Sequence, residues 1–163
     1  MKTYKKALAN AYQILAIVTP YWRPGENYTN QILGAVKARI KNGDIITISE
    51  KAVSTASRNI IDENTIKAGS LANFLAKYWM HYTWGYILGS ICHLRKKTVN
   101  RFRTYPVDEG GKHKQLALSQ SGFLQALMHG SEGGIDGSNL PYSYVSLPLK
   151  NAQQFATQIR QNI

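Results

Sequence analysis

The chain has 163 residues, of which 44% are hydrophobic and 18% charged, and this composition argues against wholesale disorder. Its length suits one domain with a real core and is short for two, so we predict a single domain over residues 1–163. Twenty Lys and Arg against nine Asp and Glu give a formal charge of +11, which favours anionic partners: nucleotides, nucleic acid, phosphorylated small molecules or an acidic lipid surface.

Cysteine content and apolar segments bear on the compartment. Cys92 is the only cysteine, which excludes an intrachain disulfide and makes a reducing, intracellular setting the default. Its apolar neighbours favour a small core residue over a nucleophile. The apolar run near the N-terminus is too interrupted for a signal peptide, and residues 78–92 fall short of a bilayer span. We therefore expect a cytoplasmic protein without a membrane segment.

The first third of the chain alternates predicted strands and helices. Residues 11–19 (AYQILAIVT) and 44–49 (DIITIS) predict strands, since both are rich in β-branched side chains. Between them a helix is expected from about Tyr28, with apolar side chains at four-residue spacing. EKAVSTAS then predicts a short helix directly after a strand, and NIIDE predicts another brief strand.

The middle of the chain is harder to assign. Ser70 is predicted to cap a helix over residues 71–82 that is apolar almost all round and therefore central. TVNRFRTYPV (98–107) alternates as a strand would, and KQLALSQ (114–120) also predicts a strand. GFLQAL (122–127) predicts a further strand, with a helix as the open alternative.

The C-terminal part ends the pattern with one strand and one helix. YSYVSLPL (142–149) alternates, and Asn151 is predicted to cap a final amphipathic helix. Strands lie close enough in sequence for antiparallel pairing. The prediction is an α+β fold with mixed or antiparallel sheets and packed helices.

The most informative stretch is GSEGGIDGSN, residues 130–139. Its glycines allow close approach of backbone to a ligand and positive φ. Asp136 offers a hard oxygen ligand suited to Mg²⁺ or Mn²⁺, and Asn139 can both donate to and accept from a ligand. The alternative is a glycine-rich hairpin in which Asp136 and Ser138 cap a turn.

Two further stretches suit phosphate. Lys51 and Ser54 follow a predicted strand at a strand-to-helix junction, without the spacing of a P-loop. In DEGGKHKQ (108–115), Lys112 and His113 follow a glycine pair and could close over a polyphosphate or an acidic substrate. The alternatives are a solvated Lys51 and a solvated basic loop. No zinc spacing or nucleophile elbow is present, so no catalytic nucleophile is predicted.

Three of these stretches together resemble a known family. YWRPGENY, NGDIITISEKAVSTASRNII and GGIDGSNLPYSYVSLPL, followed by an amphipathic helix, occur in the order found in the coenzyme F420-0:L-glutamate ligases, or γ-glutamyl ligases. The resemblance covers most of the chain and corresponds to the N-terminal half of the family's fold. It implies a homodimeric α+β enzyme that uses GTP and Mg²⁺ or Mn²⁺ to add L-glutamate, through a γ-glutamyl amide, to a phosphodiester-containing coenzyme F420 precursor.

The resemblance also implies roles for individual residues. By position, Asp136 is similar to a metal ligand of the family and Asn139 to a nucleotide-site residue. Lys51 and Ser54 match the strand-turn-helix motif and are expected to face phosphate. Thr55 departs from the lysine common in the family at that position.

Two other functions stay open at this point. A shortened, non-catalytic relative would act as a nucleotide- or coenzyme-binding subunit. A general nucleic-acid binder is the least favoured, because Lys and Arg are spread evenly along the chain and no helix-turn-helix or RNP-like motif is present.

Overall fold

A computed structural model describes residues 4–5, 14–130, 132–138 and 140–163. The chain divides into two compact units, unit 1 (Met1–Asn59 and Leu149–Ile163) and unit 2 (Ile60–Pro148). Each unit combines helices with a two-stranded antiparallel sheet, which confirms the predicted α+β class. The single domain expected over residues 1–163 stays a prediction.

The regular elements are short apart from a few helices. The strands are β1 (Tyr4–Lys5), β2 (Leu15–Ala16), β3 (Ile60–Asp62) and β4 (Tyr144–Ser146). The helices are α1 (Tyr28–Val36), α2 (Glu50–Ala56), α3 (Ser70–Phe74), α4 (Gly89–Ile91), α5 (Lys96–Arg103), α6 (Val107–Gln120), α7 (Phe123–Ala126) and α8 (Ala152–Asn162). A 3₁₀ turn, Glu63–Thr65, follows β3, and a π-helical segment, Leu75–Leu88, joins α3 to α4.

Unit 1 is organised around α1. The Asn27 side chain accepts a hydrogen bond from the backbone N–H of Asn30 at 3.1 Å, which caps the helix where the sequence predicts its start. Ile32 and Val36, one helical turn apart, turn their side chains inward. The buried core that they join also contains Trp22, Val53, Ala56 and Ile159. Helices α2 and α8 thus share one apolar core with α1.

Unit 2 is organised around the β3–β4 pair and α6. The two strands run antiparallel with Ile61 opposite Val145. Val145 is buried in a cluster with Leu75, Leu116, Ala117, Ala126 and Ile135. A second buried cluster contains Met80, Trp84 and Phe102, from the π-helical segment and α5. Members of both clusters line the cavity that is described in the next subsection.

Several predicted elements are confirmed and others are wrong. The helices at α1, α2 and α8 and the strands at β3 and β4 are present, and β2 lies within the strand predicted over 11–19, whose residues 11–13 fall outside the described part. The strands predicted over 98–107 and 114–120 are wrong, because these stretches belong largely to α5 and α6. Residues 44–49 lie in no strand or helix.

Burial explains the helices that replaced strands. In α5 the buried side chains are Val99 and Phe102, three residues apart, which is helical spacing. In α6 the neighbours Leu116 and Ala117 are both buried, whereas a half-buried strand would expose one of them. A stretch with such a mixed apolar pattern fits both the helical repeat and the strand repeat, and its tertiary contacts decide between them.

The predicted central helix is present but is not covered on all sides. It begins at Ser70, with Gly69 rather than Ser70 as its N-cap. Leu75, Ala76 and Met80 are buried, yet one side exposes large apolar side chains such as Tyr82. Cys92, expected in the core, is exposed. Among the described residues, no helix is long and apolar enough to cross a membrane.

Candidate functional site

Unit 2 contains a cavity of about 550 Å³, and two of the predicted site residues, His113 and Asp136, line it. The walls come from the 3₁₀ turn, the π-helical segment, α5, α6, β4 and described residues of the stretch 129–138, here called the glycine-rich loop. Four lining side chains are carboxylates: Glu63, Glu109, Glu132 and Asp136. In a chain with only nine acidic residues, this concentration distinguishes the cavity from the rest of the surface.

The glycine-rich loop turns at a left-handed glycine pair. Gly133 and Gly134 have φ of 69° and 88°, a region that disfavours residues with a Cβ. A Cβ at Gly133 would also overlap the Ser121 hydroxyl, which approaches the loop closely. The glycines therefore serve both conformation and close packing at this turn.

Asp136 is held by its backbone and by its own turn. Its N–H donates to the Ser146 carbonyl at 3.1 Å, and the Ser146 N–H donates back to the Asp136 carbonyl at 3.0 Å. The Ser138 N–H and hydroxyl donate to Asp136 Oδ1 at 2.8 and 2.7 Å. The alternative interpretation of Asp136 as a turn cap is thus present in the structure. The same contacts orient the carboxylate on the wall of the cavity.

The donor set allows a divalent cation only with outside ligands. Within the described part of the chain, no group of three or more His, Cys, Asp or Glu side chains could hold a metal ion. Mg²⁺ commonly uses one or two carboxylates together with substrate phosphates and water. A cation at Asp136 would therefore complete its coordination with ligand phosphate and water, and the predicted Mg²⁺ or Mn²⁺ stays a prediction.

A buried ionic network ties the start of the loop to α6. Lys114 is fully buried, forms an ion pair with Glu132, and donates to the Met128 carbonyl at 2.9 Å. His113 lies between two carboxylates, with Nδ1 against Glu63 and Nε2 against Glu132. Two potential cations and two carboxylates thus form one compact cluster.

The pKa shifts in this cluster follow from burial and charge. Burial alone would lower the pKa of His113, but the hydrogen bonds and charges of Glu132 and Glu63 outweigh it and raise the pKa to about 9. Burial lowers the pKa of Lys114 against the opposing pull of Glu132. Burial of Glu132 is outweighed by His113 and Lys114, which lower its pKa. His113 is therefore a cation at neutral pH, balanced by its two carboxylates.

The stretch 108–115 is part of α6, so the alternative of a solvated basic loop is wrong. The Tyr105 ring occupies the space where a Cβ on Gly110 would lie, and Asn73 Oδ1 does the same at Gly111. This glycine pair lets neighbouring side chains pack on the helix backbone. Lys112 donates to Asn64 Oδ1 at 3.1 Å. Phosphate binding by Lys112 and His113 stays a prediction.

The remaining predicted residues are not brought into this cavity's described walls. Lys51 and Ser54 lie in α2 of unit 1, where Ser54 is fully buried. Asn139 lies outside the described residues. Phosphate binding by Lys51, Ser54 and Asn139 stays a prediction.

Sequence reasoning missed the ionic network. Glu63 and Glu132 stand far apart in sequence, and Lys114 reads as one more basic residue beside Lys112. The only available indication was an acidic residue, Glu132, among glycines. Sequence reasoning also missed a shared hydrogen-bond acceptor. The indole N–H groups of Trp79 and Trp84 both donate to the Leu127 carbonyl at 2.8 Å, just before the loop.

One of the comparisons with known proteins identifies a family. A family model described as F420-0:Gamma-glutamyl ligase matches residues 16–163. An uncharacterized protein of Methanocaldococcus jannaschii is 37% identical over 150 residues, which is 90% of this chain and 51% of that protein. The chain thus spans about half the length of this curated relative. No solved structure matches the chain.

Proposed function

The chain belongs to the F420-0:gamma-glutamyl ligase family, and from that membership we propose that it acts in a GTP- and divalent-metal-dependent ligation of L-glutamate to a coenzyme F420 precursor or a similar phosphorylated acid. The observation that supports this most directly is Asp136. Within the family-matched region, its oriented carboxylate lies on a cavity wall at the end of a glycine-rich turn. We further propose a homodimer, as the family resemblance implies, and a cytoplasmic location, as the single cysteine indicates.

The proposed chemistry has two balanced steps. The terminal carboxylate of the acceptor attacks the γ-phosphorus of GTP, which forms an acyl phosphate and releases GDP. The amino group of L-glutamate then attacks the acyl carbon, loses a proton to solvent, and expels inorganic phosphate to leave the amide. Neither step requires a covalent protein nucleophile, which agrees with a sequence that lacks a nucleophile motif. The protein's task is to position the reactants and to neutralise charge.

The cavity residues contribute in different ways. The Asp136 carboxylate, fixed by Ser138 and Ser146, would hold Mg²⁺ or Mn²⁺, which when bound neutralises phosphate charge. The cluster of Lys114, His113 and the two glutamates is internally balanced, so it anchors the loop rather than offering free positive charge to a phosphate. Outside that cluster the lining has one cation, Arg101, against Glu109 and Asp136, so the cavity alone is expected to bind phosphate poorly without the metal.

A second candidate function is a nucleotide- or coenzyme-binding subunit without ligase activity. One observation favours it: among the residues that the structure describes, no group of three or more His, Cys, Asp or Glu side chains is placed to hold a metal ion, so a cation at Asp136 would have few protein ligands. Such a subunit would bind the nucleotide with metal but would not form the amide.

Titration calorimetry at fixed ionic strength tests the proposal. GTP should bind wild-type protein far better with Mg²⁺ than without it, because Asp136 would help to hold a cation that would neutralise the phosphate charge. Asp136→Asn should remove most of that gain and leave metal-free binding unchanged or slightly tighter. Asp108→Asn is the matched control, since Asp108 is an exposed acid in the first turn of α6, and should behave as wild type.

Three possible results distinguish the proposed ligase from the proposed binding subunit. Equal GTP binding with and without metal would contradict the proposed site. Metal-dependent binding without formation of a glutamate amide, measured by mass spectrometry of the acceptor, would favour the binding subunit. Metal-dependent binding together with amide formation would support the ligase.

A further inference from the structure

An exposed row of aromatic rings runs along unit 2, away from any role in the ligation proposed above. It consists of Phe74, Tyr78, Tyr82 and Tyr86, each four residues after the last, and is called the aromatic ladder here. These side chains are 52%, 45%, 55% and 52% exposed. Surface aromatic residues in such a contiguous row are unusual on a monomer and mark an interaction surface.

The rings of the ladder are aligned. The Phe74 and Tyr78 centroids lie 5.4 Å apart, and the next two intervals, Tyr78 to Tyr82 and Tyr82 to Tyr86, are both 6.2 Å. The planes of the three tyrosines differ by only 20° and 25° between neighbours. The three tyrosines therefore present successive, nearly parallel π-systems at a regular interval, and the Phe74 ring is tilted by 39° against that of Tyr78.

Cations accompany the rings. Lys77 Nζ lies 5.3 Å from the centroid of the Tyr78 ring, and the Arg103 guanidinium lies 4.5 Å from that of Tyr86. Arg103 is held in place because its Nε donates to the Gly85 carbonyl at 2.9 Å. Both distances fall within the range of cation–π attraction. The ladder thus carries a positive charge near each end.

Acidic residues are absent from the whole segment that forms this face. From Asn64 to Val107 the sequence contains seven Lys and Arg and no Asp or Glu. Lys and Arg are spread evenly along the chain, but the acids are not, and this gap coincides with the ladder. The ladder's own segment therefore supplies no carboxylate to balance Lys77 and Arg103.

Charge and ring geometry select the partner. A second copy of the chain would bring its own Lys77 and Arg103 against a segment that carries like charges and no acid of its own, which is costly when water is excluded. Aligned tyrosine rings suit flat heterocycles better than they suit lipid tails. Single-stranded nucleic acid offers both features that this face lacks, stackable bases and a run of phosphates. We propose that the aromatic ladder binds single-stranded nucleic acid, as an activity separate from the proposed ligation.

Fluorescence anisotropy with a labelled oligouridylate of about 12 nucleotides, within the site sizes of single-strand binders, tests this on the full chain. Tyr82→Leu removes the central ring but keeps apolar bulk and helix propensity, and it should weaken binding about 5- to 100-fold. Tyr82→Phe keeps the ring and should bind like wild type. Tyr142→Leu is the control for an exposed tyrosine outside the ladder, since Tyr142 is 95% exposed, and should also bind like wild type.

Charge is tested separately through salt dependence. Lys77→Gln should reduce the slope of log affinity against log salt by about 0.7, the contribution of one phosphate contact to a single strand. The exposed Lys150→Gln in unit 1 should leave the slope unchanged. Circular dichroism checks that each variant is folded.

Several outcomes would overturn the proposal. Equal oligonucleotide affinity for Tyr82→Leu and wild type would exclude the ladder as the binding surface. Absence of oligonucleotide binding, with sedimentation of wild type on phosphatidylserine vesicles that Tyr82→Leu retains, would assign the face to a membrane surface instead. Absence of oligonucleotide binding, with a dimer that Phe74→Asp dissociates in light scattering, would assign it to self-association.

Discussion

The glycine pair in α6 and the glycine pair in the glycine-rich loop have different structural roles, although both lie beside the same buried ionic network. Gly110 and Gly111 adopt helical backbone, and their missing Cβ atoms make room for Tyr105 and Asn73. Gly133 and Gly134 adopt left-handed backbone and turn the chain toward Asp136. The difference shows that a glycine pair beside polar residues can serve packing as readily as ligand binding.

The two regions are also joined. Helix α6 supplies Lys114 and His113, and the loop supplies Glu132, which contacts both. Because the helix is a rigid element and the loop is short of regular structure, we infer that α6 fixes the loop and thereby the carboxylate of Asp136. Three predictions test how far these ion pairs, and the two glycine pairs beside them, determine the stability of the helix and the loop.

The largest effect is expected from removing Lys114. Lys114→Met leaves the buried Glu132 without its ammonium partner and should lower the free energy of unfolding by about 3–5 kcal/mol. Lys112→Met, two positions earlier on the same helix, removes a side chain that donates to the exposed Asn64, and it should change the free energy of unfolding by about 0.5 kcal/mol or less. Urea denaturation measures both.

A double variant sharpens this result. Lys114→Met with Glu132→Leu removes both buried charges of the pair, so part of the lost stability should return. If Lys114→Met costs no more than Lys112→Met, the network does not join the regions in the way described.

The next effect is a dependence on pH. The carboxylates of Glu132 and Glu63 raise the pKa of His113 to about 9, above its unfolded value near 6.5. A raised pKa stabilises the fold fully below about pH 6.5, and this contribution is lost as pH rises through about 9. Between these limits wild type should lose on the order of 3 kcal/mol relative to His113→Asn.

The measurement is the difference in unfolding free energy between wild type and His113→Asn across that range. Taking the difference cancels groups that titrate alike in both proteins. A difference that stays constant from pH 6.5 to 9 would show that His113 is not held as a cation by the two glutamates.

The smallest effect separates the two glycine pairs directly. At Gly134 the left-handed backbone should make Ala cost about 1–2 kcal/mol and Asn less, because Asn tolerates positive φ. At Gly110 the order should reverse: Ala costs about 1–3 kcal/mol by overlap with the Tyr105 ring, and the larger Asn costs more. Thermal unfolding of the four variants gives the order, and the same order at both positions would contradict the comparison.

Part of this structure could be read from the sequence because the determinants are local. The start of α1 at Asn27 needs only a capping residue and apolar spacing, and the turn at Asp136 needs only Ser138 two residues later. The family could be read for the same reason, since its motifs are short and contiguous. Each of these features depends on residues within a few positions of one another.

The rest depends on contacts between distant residues. The Lys114–Glu132 pair requires that residues 107–120 be helical, and their mixed pattern hides this. Likewise, the apolar helix predicted over residues 71–82 is expected to be central, yet Tyr78 and Tyr82 are exposed. Which side of this helix is covered is decided by the elements that pack against it. Neither the ion pair nor the exposure of these tyrosines can be predicted from residues that are close together in the sequence.

The two indoles that share the Leu127 carbonyl have a practical consequence. The chain has three tryptophans, and Trp79 and Trp84 both donate to this one oxygen at the entrance to the glycine-rich loop. The Trp84 ring also meets the ring of His129, the first loop residue, edge to face at 4.4 Å. Indole emission responds to hydrogen bonding and to neighbouring charge, so the protein carries a built-in optical reporter at this position. Any ligand that shifts the loop entrance will change the intrinsic fluorescence without an attached dye.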